Sequence, residues 1–341
     1  MSEISNKQDT GQVISVSNLH KRFNLEAGFF ARMGQYVHAV NGVSLSIGRN
    51  ETYGLVGESG CGKTTTARLL VRMYEADEGE ILFRGRDGNI EDVRSLKGLD
   101  FKHYRERVKY IFQDPARSLN PRMTVYEVLT SGAKWSMTRS SSGSKALLRE
   151  EAAAILEEVG LSAADLERRP AEFSGGQRQR ISIARGLLMK PDLLICDEVV
   201  SALDVSIQGQ ILNLLLDLRD SRASSQQELS FLFIAHDLKV ACYFCDRIGV
   251  MYRGEIMEEA PAADIWKQGL HPYTELLFSS AGKIQERAYS APTRSGSIKS
   301  ITAEAEGCSF ALRCPHAKER CFTEKPDLRS AGEKHMVRCW R

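Results

Sequence analysis

The feature that most constrains this 341-residue chain is a glycine-rich segment, Gly57–Thr64, which reads Gly-Glu-Ser-Gly-Cys-Gly-Lys-Thr. It matches the pattern GxxxxGK(S/T), in which backbone N–H groups wrap the phosphates of a nucleotide. The preceding residues, Glu51–Gly57, predict a strand, and the following residues, Thr65–Val71, predict a helix because they lack glycine and proline. A strand, a loop and a helix in this order predict an α/β protein that binds a nucleoside triphosphate.

Each residue of this loop is a candidate ligand of the nucleotide. Lys63 is expected to reach the β- and γ-phosphates, and the Thr64 hydroxyl is expected to ligate Mg²⁺. The predicted ATP-binding residues of the loop are Gly57, Glu58, Ser59, Gly60, Cys61, Gly62, Lys63, Thr64 and Thr65.

A pair of acidic residues follows a short apolar run, Leu193–Asp197. Such a run is typical of a buried parallel strand with its acid at the carboxyl edge of the sheet. Asp197 is therefore expected to hold Mg²⁺, directly or through water. Glu198 is the natural general base for the attacking water.

Two further polar residues also follow apolar runs. His236 follows Phe231–Ala235 and is expected to contact the γ-phosphate, while Gln113 follows Val108–Phe112 and is expected to sense the same phosphate and the metal. Each would be an ordinary strand-end residue by itself, so these two catalytic roles depend on the whole set of motifs.

With a further segment, Phe173-Ser-Gly-Gly-Gln-Arg-Gln, the chain resembles the ATP-binding-cassette (ABC) ATPases, whose motifs occur here in the family's order. The resemblance implies that this segment binds the γ-phosphate held by the P-loop of a second ATPase subunit. It also implies that Asp204 makes contact across the junction between the two subunits. Ser174 can cap a helix starting at Gly175, leaving N–H groups free for an anion. The predicted partner-site residues are Ser174, Gly175, Gly176, Gln177 and Asp204.

Adenine recognition has two candidates. Family members stack the base on an aromatic residue after the first strand, and Phe23 occupies that place. Tyr36 is the competitor, because the insertion Leu25–Gln35 obscures the register. Either ring could instead be a half-buried packing residue.

Two segments narrow the resemblance to the ATPases of oligopeptide and dipeptide importers: Gln113-Asp-Pro-Ala-Arg-Ser-Leu-Asn-Pro-Arg and Leu270-His-Pro-Tyr-Thr. The first would form the groove for a helix of the membrane subunit. The implied partners are a second, different ATPase subunit, two integral membrane permease subunits and an extracytoplasmic substrate-binding protein, at the cytoplasmic face of the inner membrane. Relatives with the same type of ATPase subunit transport nickel, glutathione or oligosaccharides. An exporter ATPase fits these segments less well. An ABC ATPase acting on DNA or ribosomes usually carries two cassettes, long coiled-coil insertions or basic extensions, none of which this sequence indicates.

Composition agrees with this assignment. A net charge of +2 gives no reason to expect nucleic acid as a partner, and 42% hydrophobic residues is ordinary for a globular protein. The sequence has no apolar run of eighteen residues and no apolar signal-peptide region at its start, so we expect a cytoplasmic chain that docks to membrane subunits.

The predicted organisation has four parts. Residues 1–11 are expected to be a disordered N-terminus and 12–268 the nucleotide-binding domain, with antiparallel opening strands and a helical subdomain at about 114–180. Helices are predicted over Thr124–Leu129 and Leu147–Val159, with a polar linker at Arg139–Lys145. Residues 269–306 are expected to form a family-specific helix and linker, and 307–341 a cysteine-rich, metal-binding tail.

The tail contains Cys308, Cys314, Cys321 and Cys339, four of the eight cysteines, with the spacing C-x5-C-x6-C-x17-C. Disulfides are improbable in a reducing cytoplasm, and the spacing lacks the CxxC pairs of most zinc sites. Because similar tails hold a 4Fe–4S cluster in some relatives, the resemblance ranks a cluster first, zinc second and free thiols third. His316 and His335 are spare possible ligands that we expect at the surface.

Overall fold

The computed structural model describes residues 11–24, 36–132, 144–224, 227–280 and 306–341. These residues fall into two compact units, one within 1–96 and 232–341 and the other within 97–231. Three predictions fall outside the described residues: the N-terminus through residue 10, the insertion Leu25–Gln35, and most of the linkers at 139–145 and 281–306. Within the described ranges, every helix is too short or too polar to cross a lipid bilayer.

The secondary structure alternates between strands and helices through most of the chain. The strands are β1 (Gln12–Asn24), β2 (Tyr36–Gly48), β3 (Thr52–Val56), β4 (Glu78–Arg84), β5 (Ile90–Asp92), β6 (Val108–Ile111), β7 (Leu193–Asp197), β8 (Ser230–Ala235), β9 (Arg247–Tyr252), β10 (Glu255–Pro261), β11 (Arg329–Gly332) and β12 (His335–Val337). The helices are α1 (Lys63–Leu70), α2 (Gly98–Arg107), α3 (Pro115–Ser118), α4 (Val125–Thr130), α5 (Ser144–Glu158), α6 (Gly175–Leu187), α7 (Val205–Ser224), α8 (Leu238–Phe244), α9 (Ala262–Lys267), α10 (Pro272–Ser280) and α11 (Arg320–Thr323).

The first unit contains an antiparallel sheet with the strand order β2-β1-β4-β5. Strands β1 and β2 pair along their whole lengths, from Gln12 opposite Gly48 to Asn24 opposite Tyr36. Apolar residues alternate with polar ones along both strands, so one face of the sheet is buried. The predicted antiparallel opening strands are confirmed.

The same unit contains the strand that precedes the P-loop. All five residues of β3 are buried, and β3 pairs in parallel with β9, as expected for a strand covered on both faces. Next to β9, the sheet continues through β10, β12 and β11, which pair antiparallel. The last two strands belong to the cysteine-rich tail, and their addition to this sheet was not predicted.

The second unit joins a parallel strand pair, β6 and β7, to a group of helices. Helix α6 contacts α3, α4, α5 and α7. The predicted helices at 124–129 and 147–159 are confirmed as α4 and α5, shifted by one to three residues. Along α5 and just past its end, Ile155, Leu156 and Val159 are buried, as their helical spacing predicted.

A buried carboxylate fastens the tail to the rest of the first unit. Glu258 of β10 is fully buried and accepts hydrogen bonds from the backbone N–H groups of Leu270 and His271 at 2.7 and 3.0 Å. The Thr274 hydroxyl and, at 2.7 Å, His335 Nε2 of β12 bind the same carboxylate. The prediction that His335 lies at the surface was wrong, because its imidazole is the partner this buried acid requires.

Candidate functional site

The phosphate loop is a tight turn between β3 and α1 that only glycine can form at two positions. A Cβ on Gly57 would lie 2.1 Å from the backbone oxygen of Met251, and one on Gly62 would lie 2.1 Å from that of Ala39. Gly62 also has a φ of 113°, in the region that favours glycine. The close approach of neighbouring backbone explains why glycine is required here.

Lys63 occupies the inside of this loop. Its side chain is buried, and its ammonium donates to the carbonyl oxygens of Gly57 at 2.7 Å and Glu58 at 3.0 Å. The loop is further closed by Cys61 N–H, which donates to the Glu58 carbonyl at 3.2 Å. The lysine charge therefore lies among the backbone groups that the P-loop pattern assigns to phosphate binding.

The acidic pair lies at the end of β7, as predicted. Asp197 is buried and accepts a hydrogen bond from the Tyr110 hydroxyl of β6, a contact that the sequence did not predict. Glu198 has a φ of +49°, a conformation that costs energy for a residue with a side chain.

Gln113 and Glu198 are brought together in the second unit. The Gln113 side-chain amide donates to the Glu198 carboxylate at 2.7 Å, and the N–H and hydroxyl of Ser201 donate to the Glu198 carbonyl. The side-chain amide of Gln113 thus holds the acid that the sequence assigns to proton abstraction.

His236 belongs to the first unit, as the P-loop does. It follows the last residue of β8, where the sequence predicted it, and its side chain is exposed. The next residue, Asp237, caps α8 by accepting from the N–H of Lys239 at 2.8 Å. The cap fixes the chain direction directly after His236.

The signature segment forms the helix start that the sequence predicted. Ser174 Oγ accepts from Gln177 N–H at 3.3 Å, and Gln177 Oε1 accepts from Ser174 N–H at 2.9 Å, which is a capping box. Gly176 leaves no space for a side chain, because a Cβ would lie 2.8 Å from Ile207 Cγ2. Ser174 and the predicted partner-site residue Asp204 are both exposed.

The two aromatic candidates for adenine stacking lie at the same end of the β1–β2 ladder, where Phe23 pairs with Val37 and Asn24 with Tyr36. The Phe23 ring is half-buried and meets Tyr74 edge to face, with ring centroids 5.2 Å apart. Tyr36 is 46% exposed. Phe23 therefore has a packing role in addition to any role with a base.

Comparisons with known proteins agree with these motifs. A family profile described as "ABC transporter" matches residues 40–201, and one described as "Oligopeptide/dipeptide transporter, C-terminal region" matches residues 257–321. The oligopeptide transport ATP-binding protein AppF of Bacillus subtilis is 39% identical over 331 residues, which are 96% of each chain. The chain belongs to the ABC transporter ATP-binding proteins. It is an ATPase of that family, and ATP and Mg²⁺ are its ligands.

Other members of this family show similar agreement. A putative peptide import ATP-binding protein of Brucella ovis is 43% identical over 303 residues, which cover 89% of this ABC ATPase and 91% of the relative. Among solved structures, CbiO1 from Clostridium perfringens, part of an ABC transporter complex, superposes with a TM-score of 0.61 at 23% identity, covering 76% of this chain and 92% of that one. That similarity supports the ABC cassette fold alone.

The four tail cysteines of this ABC ATPase line one cavity of about 260 Å³, together with His271, Phe310 and Trp340. Burial raises the pKa of the Cys308 thiol, and it raises that of Cys314 to about 11. In both cases the nearby tail cysteines contribute to the raised pKa. Within the described ranges, no three His, Cys, Asp or Glu side chains are arranged to hold a metal ion.

Each of these four sulfur atoms accepts a hydrogen bond from a backbone N–H group. Lys318 N–H donates to Cys321 Sγ at 3.5 Å, and Arg341 N–H donates to Cys339 Sγ at 3.4 Å. The N–H groups of Phe310 and His316 act in the same way on Cys308 and Cys314, and each lowers the pKa of its thiol. Amide donors stabilise sulfur in its anionic form, the form that binds metals.

Proposed function

We propose that this chain is the ATP-hydrolysing subunit of an importer that takes up peptides of the dipeptide or oligopeptide class. The observation that carries this proposal is the match of an ABC transporter profile and an oligopeptide/dipeptide transporter profile to the same chain. Relatives named as peptide import and oligopeptide transport ATP-binding proteins support it along nearly the whole length. Nickel, glutathione and oligosaccharides are the alternative substrates of an importer with the same type of ATPase subunit.

In the proposed reaction, Lys63 and the P-loop N–H groups neutralise the β- and γ-phosphates. Thr64 and Asp197 would hold Mg²⁺, which would offset the negative charge of the phosphates, and Glu198 would remove a proton from the water that attacks the γ-phosphorus. Gln113, which donates to Glu198, orients that carboxylate and reports on the metal and phosphate. His236 contacts the γ-phosphate as it becomes free. Phe23, or in its place Tyr36, stacks on adenine.

The proposed partners follow from the exposed signature segment. The helix that starts at Gly175 has free N–H groups at its capped N-terminus. These groups would bind the γ-phosphate of the nucleotide held by a second ATPase subunit. Support comes from a solved bacterial ABC cassette described as dimeric, 25% identical with a TM-score of 0.60, which covers 73% of this chain and 98% of that one. Two membrane permease subunits and an extracytoplasmic binding protein complete the proposed importer, which places this chain at the cytoplasmic face of the inner membrane.

The test is a gentle detergent purification of the tagged chain from its native cells, followed by mass spectrometry of its stoichiometric partners. Two polytopic membrane proteins and a second ATPase are the expected result, and the ATPase rate of the complex should rise with the loaded binding protein. Recovery of ribosomes or DNA enzymes alone would overturn the transport function. Stimulation by nickel-loaded but not peptide-loaded binding protein would assign the alternative cargo.

We further propose that the four tail cysteines hold a 4Fe–4S cluster. Four thiols line one cavity and each accepts from a backbone N–H, and amide donors to sulfur tune the potential of such clusters. Since no three of the described side chains are already arranged around a metal ion, binding a cluster would require these thiols to move together. The cluster would supply a rigid cross-link for a tail that has little core of its own. Zinc held by the same thiols is the alternative.

The cluster is tested by anaerobic purification, with iron, sulfide and zinc measured per chain and an absorbance scan of the visible region. Bound iron and sulfide that are lost in Cys314→Ser support the proposal. Stoichiometric zinc without iron would assign the alternative. A colourless protein without bound metal would overturn both.

A further inference from the structure

The cysteine-rich tail contacts the phosphate loop directly. The guanidinium of Arg313 donates two parallel hydrogen bonds, each 2.7 Å, to the two carboxylate oxygens of Glu58, the second residue of the P-loop pattern. Arg313 ends the short 3₁₀ turn Ala311–Arg313 and directly precedes Cys314. A residue that is 255 positions away in sequence thus grips the start of the loop.

The backbone of the same P-loop residue is held by a second contact. Glu58 N–H donates to the Tyr273 hydroxyl at 2.9 Å, and the Tyr273 side chain, on α10, is fully buried. The Tyr273 ring lies 5.4 Å from that of Phe310, which opens the 3₁₀ turn that ends at Arg313. The residues that contact the carboxylate and the N–H of Glu58 therefore belong to one packed group of C-terminal residues.

Glu58 also supports the lysine of the loop. Its carbonyl oxygen accepts from the Lys63 ammonium at 3.0 Å and from Cys61 N–H at 3.2 Å. A shift of Glu58 would move two groups that shape the phosphate cradle. The ion pair between Arg313 and Glu58 fixes both the position and the orientation of the Glu58 side chain, because bidentate guanidinium–carboxylate pairs are directional.

We infer that Arg313 and Tyr273 are positioning residues for the phosphate loop, through which the C-terminal tail sets the affinity of this ATPase for nucleotide. The inference rests on the proposed role of the loop in binding ATP. By reciprocity, bound nucleotide stabilises the tail to the same degree that the tail strengthens nucleotide binding. The cysteine cavity and the P-loop are then coupled sites, with the Ala311–Arg313 turn as the link.

The test measures the Kd of a fluorescent ATP analogue with Mg²⁺ for purified full-length Arg313→Gln and Tyr273→Phe. Each variant should bind nucleotide about tenfold more weakly, because Arg313→Gln loses two charge-assisted hydrogen bonds to the Glu58 carboxylate and Tyr273→Phe loses the acceptor of the Glu58 N–H. The Tm of Arg313→Gln should stay within about 2 °C of the parent, because ion pairs as exposed as Arg313–Glu58 contribute little to stability. Tyr273→Phe keeps the buried ring and tests the grip on the backbone even if Arg313→Gln does not fold.

Arg329→Gln is the matched control. It removes the same charge from the same tail, but the Arg329 guanidinium donates to the Arg341 carbonyl and does not contact the loop. Its Kd should equal that of the parent. The double variant Glu58→Gln/Arg313→Gln should bind no more weakly than Arg313→Gln, since both changes break one interaction.

The outcomes separate the inference from the function on which it rests. If the parent chain binds no nucleotide, the proposed function fails. If the parent binds and Arg313→Gln matches Arg329→Gln within twofold, the positioning role is refuted. Arg313 would have a purely structural role if the affinity loss in Arg313→Gln came with a clear fall in Tm and if the effects of Glu58→Gln and Arg313→Gln on Kd simply added in the double variant. That result would also overturn the inference.

Discussion

Replacing the buried Glu258 with glutamine should destabilise the docking of the tail. One carboxylate oxygen accepts from Leu270 N–H and His335 Nε2, and the other accepts from His271 N–H and the Thr274 hydroxyl. A glutamine places an NH₂ group at one of these two oxygen positions. The threonine hydroxyl and the imidazole can switch to accepting, but a backbone N–H cannot.

The magnitude follows from this geometry. In either orientation of the amide, one buried backbone N–H faces another donor and loses its partner, which costs about 1–3 kcal/mol. The hydrogen bonds that remain lose their charge assistance, so the total loss in free energy of unfolding is about 3 kcal/mol. For a unit of this size, that loss lowers Tm by about 6–12 °C.

The assay is thermal unfolding of Glu258→Gln followed by hydrogen exchange at residues 270–274 and 335–337. Protection should fall first at these amides, because they share the carboxylate. The control is Glu275→Gln, which breaks a surface pair with Arg341 and should change the free energy of unfolding by less than about 1 kcal/mol. A Glu258→Gln protein with the same Tm and protection as Glu275→Gln would refute the reasoning.

Three further predictions concern the catalytic acid, the pH dependence and the phosphate loop. Glu198→Gln should lower the ATPase rate by about 10²–10⁴-fold with unchanged Kd for ATP, measured by single-turnover hydrolysis and analogue binding; full turnover would exclude Glu198 as the base. Burial lowers the pKa of His271 from its usual 6.5 to about 4. On acidification the unfolded chain therefore protonates this imidazole before the folded protein does, so the free energy of unfolding should fall by about 3 kcal/mol between pH 6.5 and pH 4. Urea titrations at several pH values should show a smaller dependence of this free energy on pH in His271→Asn. Gly57→Ala should abolish nucleotide binding, because its Cβ would meet the Met251 carbonyl at 2.1 Å, and isothermal titration that still detected binding would show that the loop can open.

Local patterns predicted much of the site. Short apolar runs located β3, β6, β7 and β8 to within two residues, because buried parallel strands read as continuous apolar sequence. The Ser174 cap was also predicted, since a capping box requires only residues three positions apart. These features depend on neighbours in sequence, which a single chain displays.

The rest depends on contacts between distant residues. Nothing near Arg313 in sequence indicates that its partner is Glu58, and nothing near His335 indicates that a buried glutamate 77 positions earlier needs its imidazole. The left-handed φ of Glu198 also has no sequence signal, since that conformation is imposed by surrounding structure. Tyr110 offered one weak sign, a hydroxyl within an otherwise apolar strand end, which now has Asp197 as its partner.

The pairing of β12 with β10 has a consequence for the solubility of shortened chains. Strand β10 pairs with β9 along one edge, and on the other edge β12 pairs with its residues Glu258 and Glu259. Removing residues 307–341 would leave one edge of β10 with unpaired N–H and C=O groups, the kind of edge at which separate chains associate by strand pairing. We therefore expect a chain shortened in this way to aggregate more readily than the full-length protein.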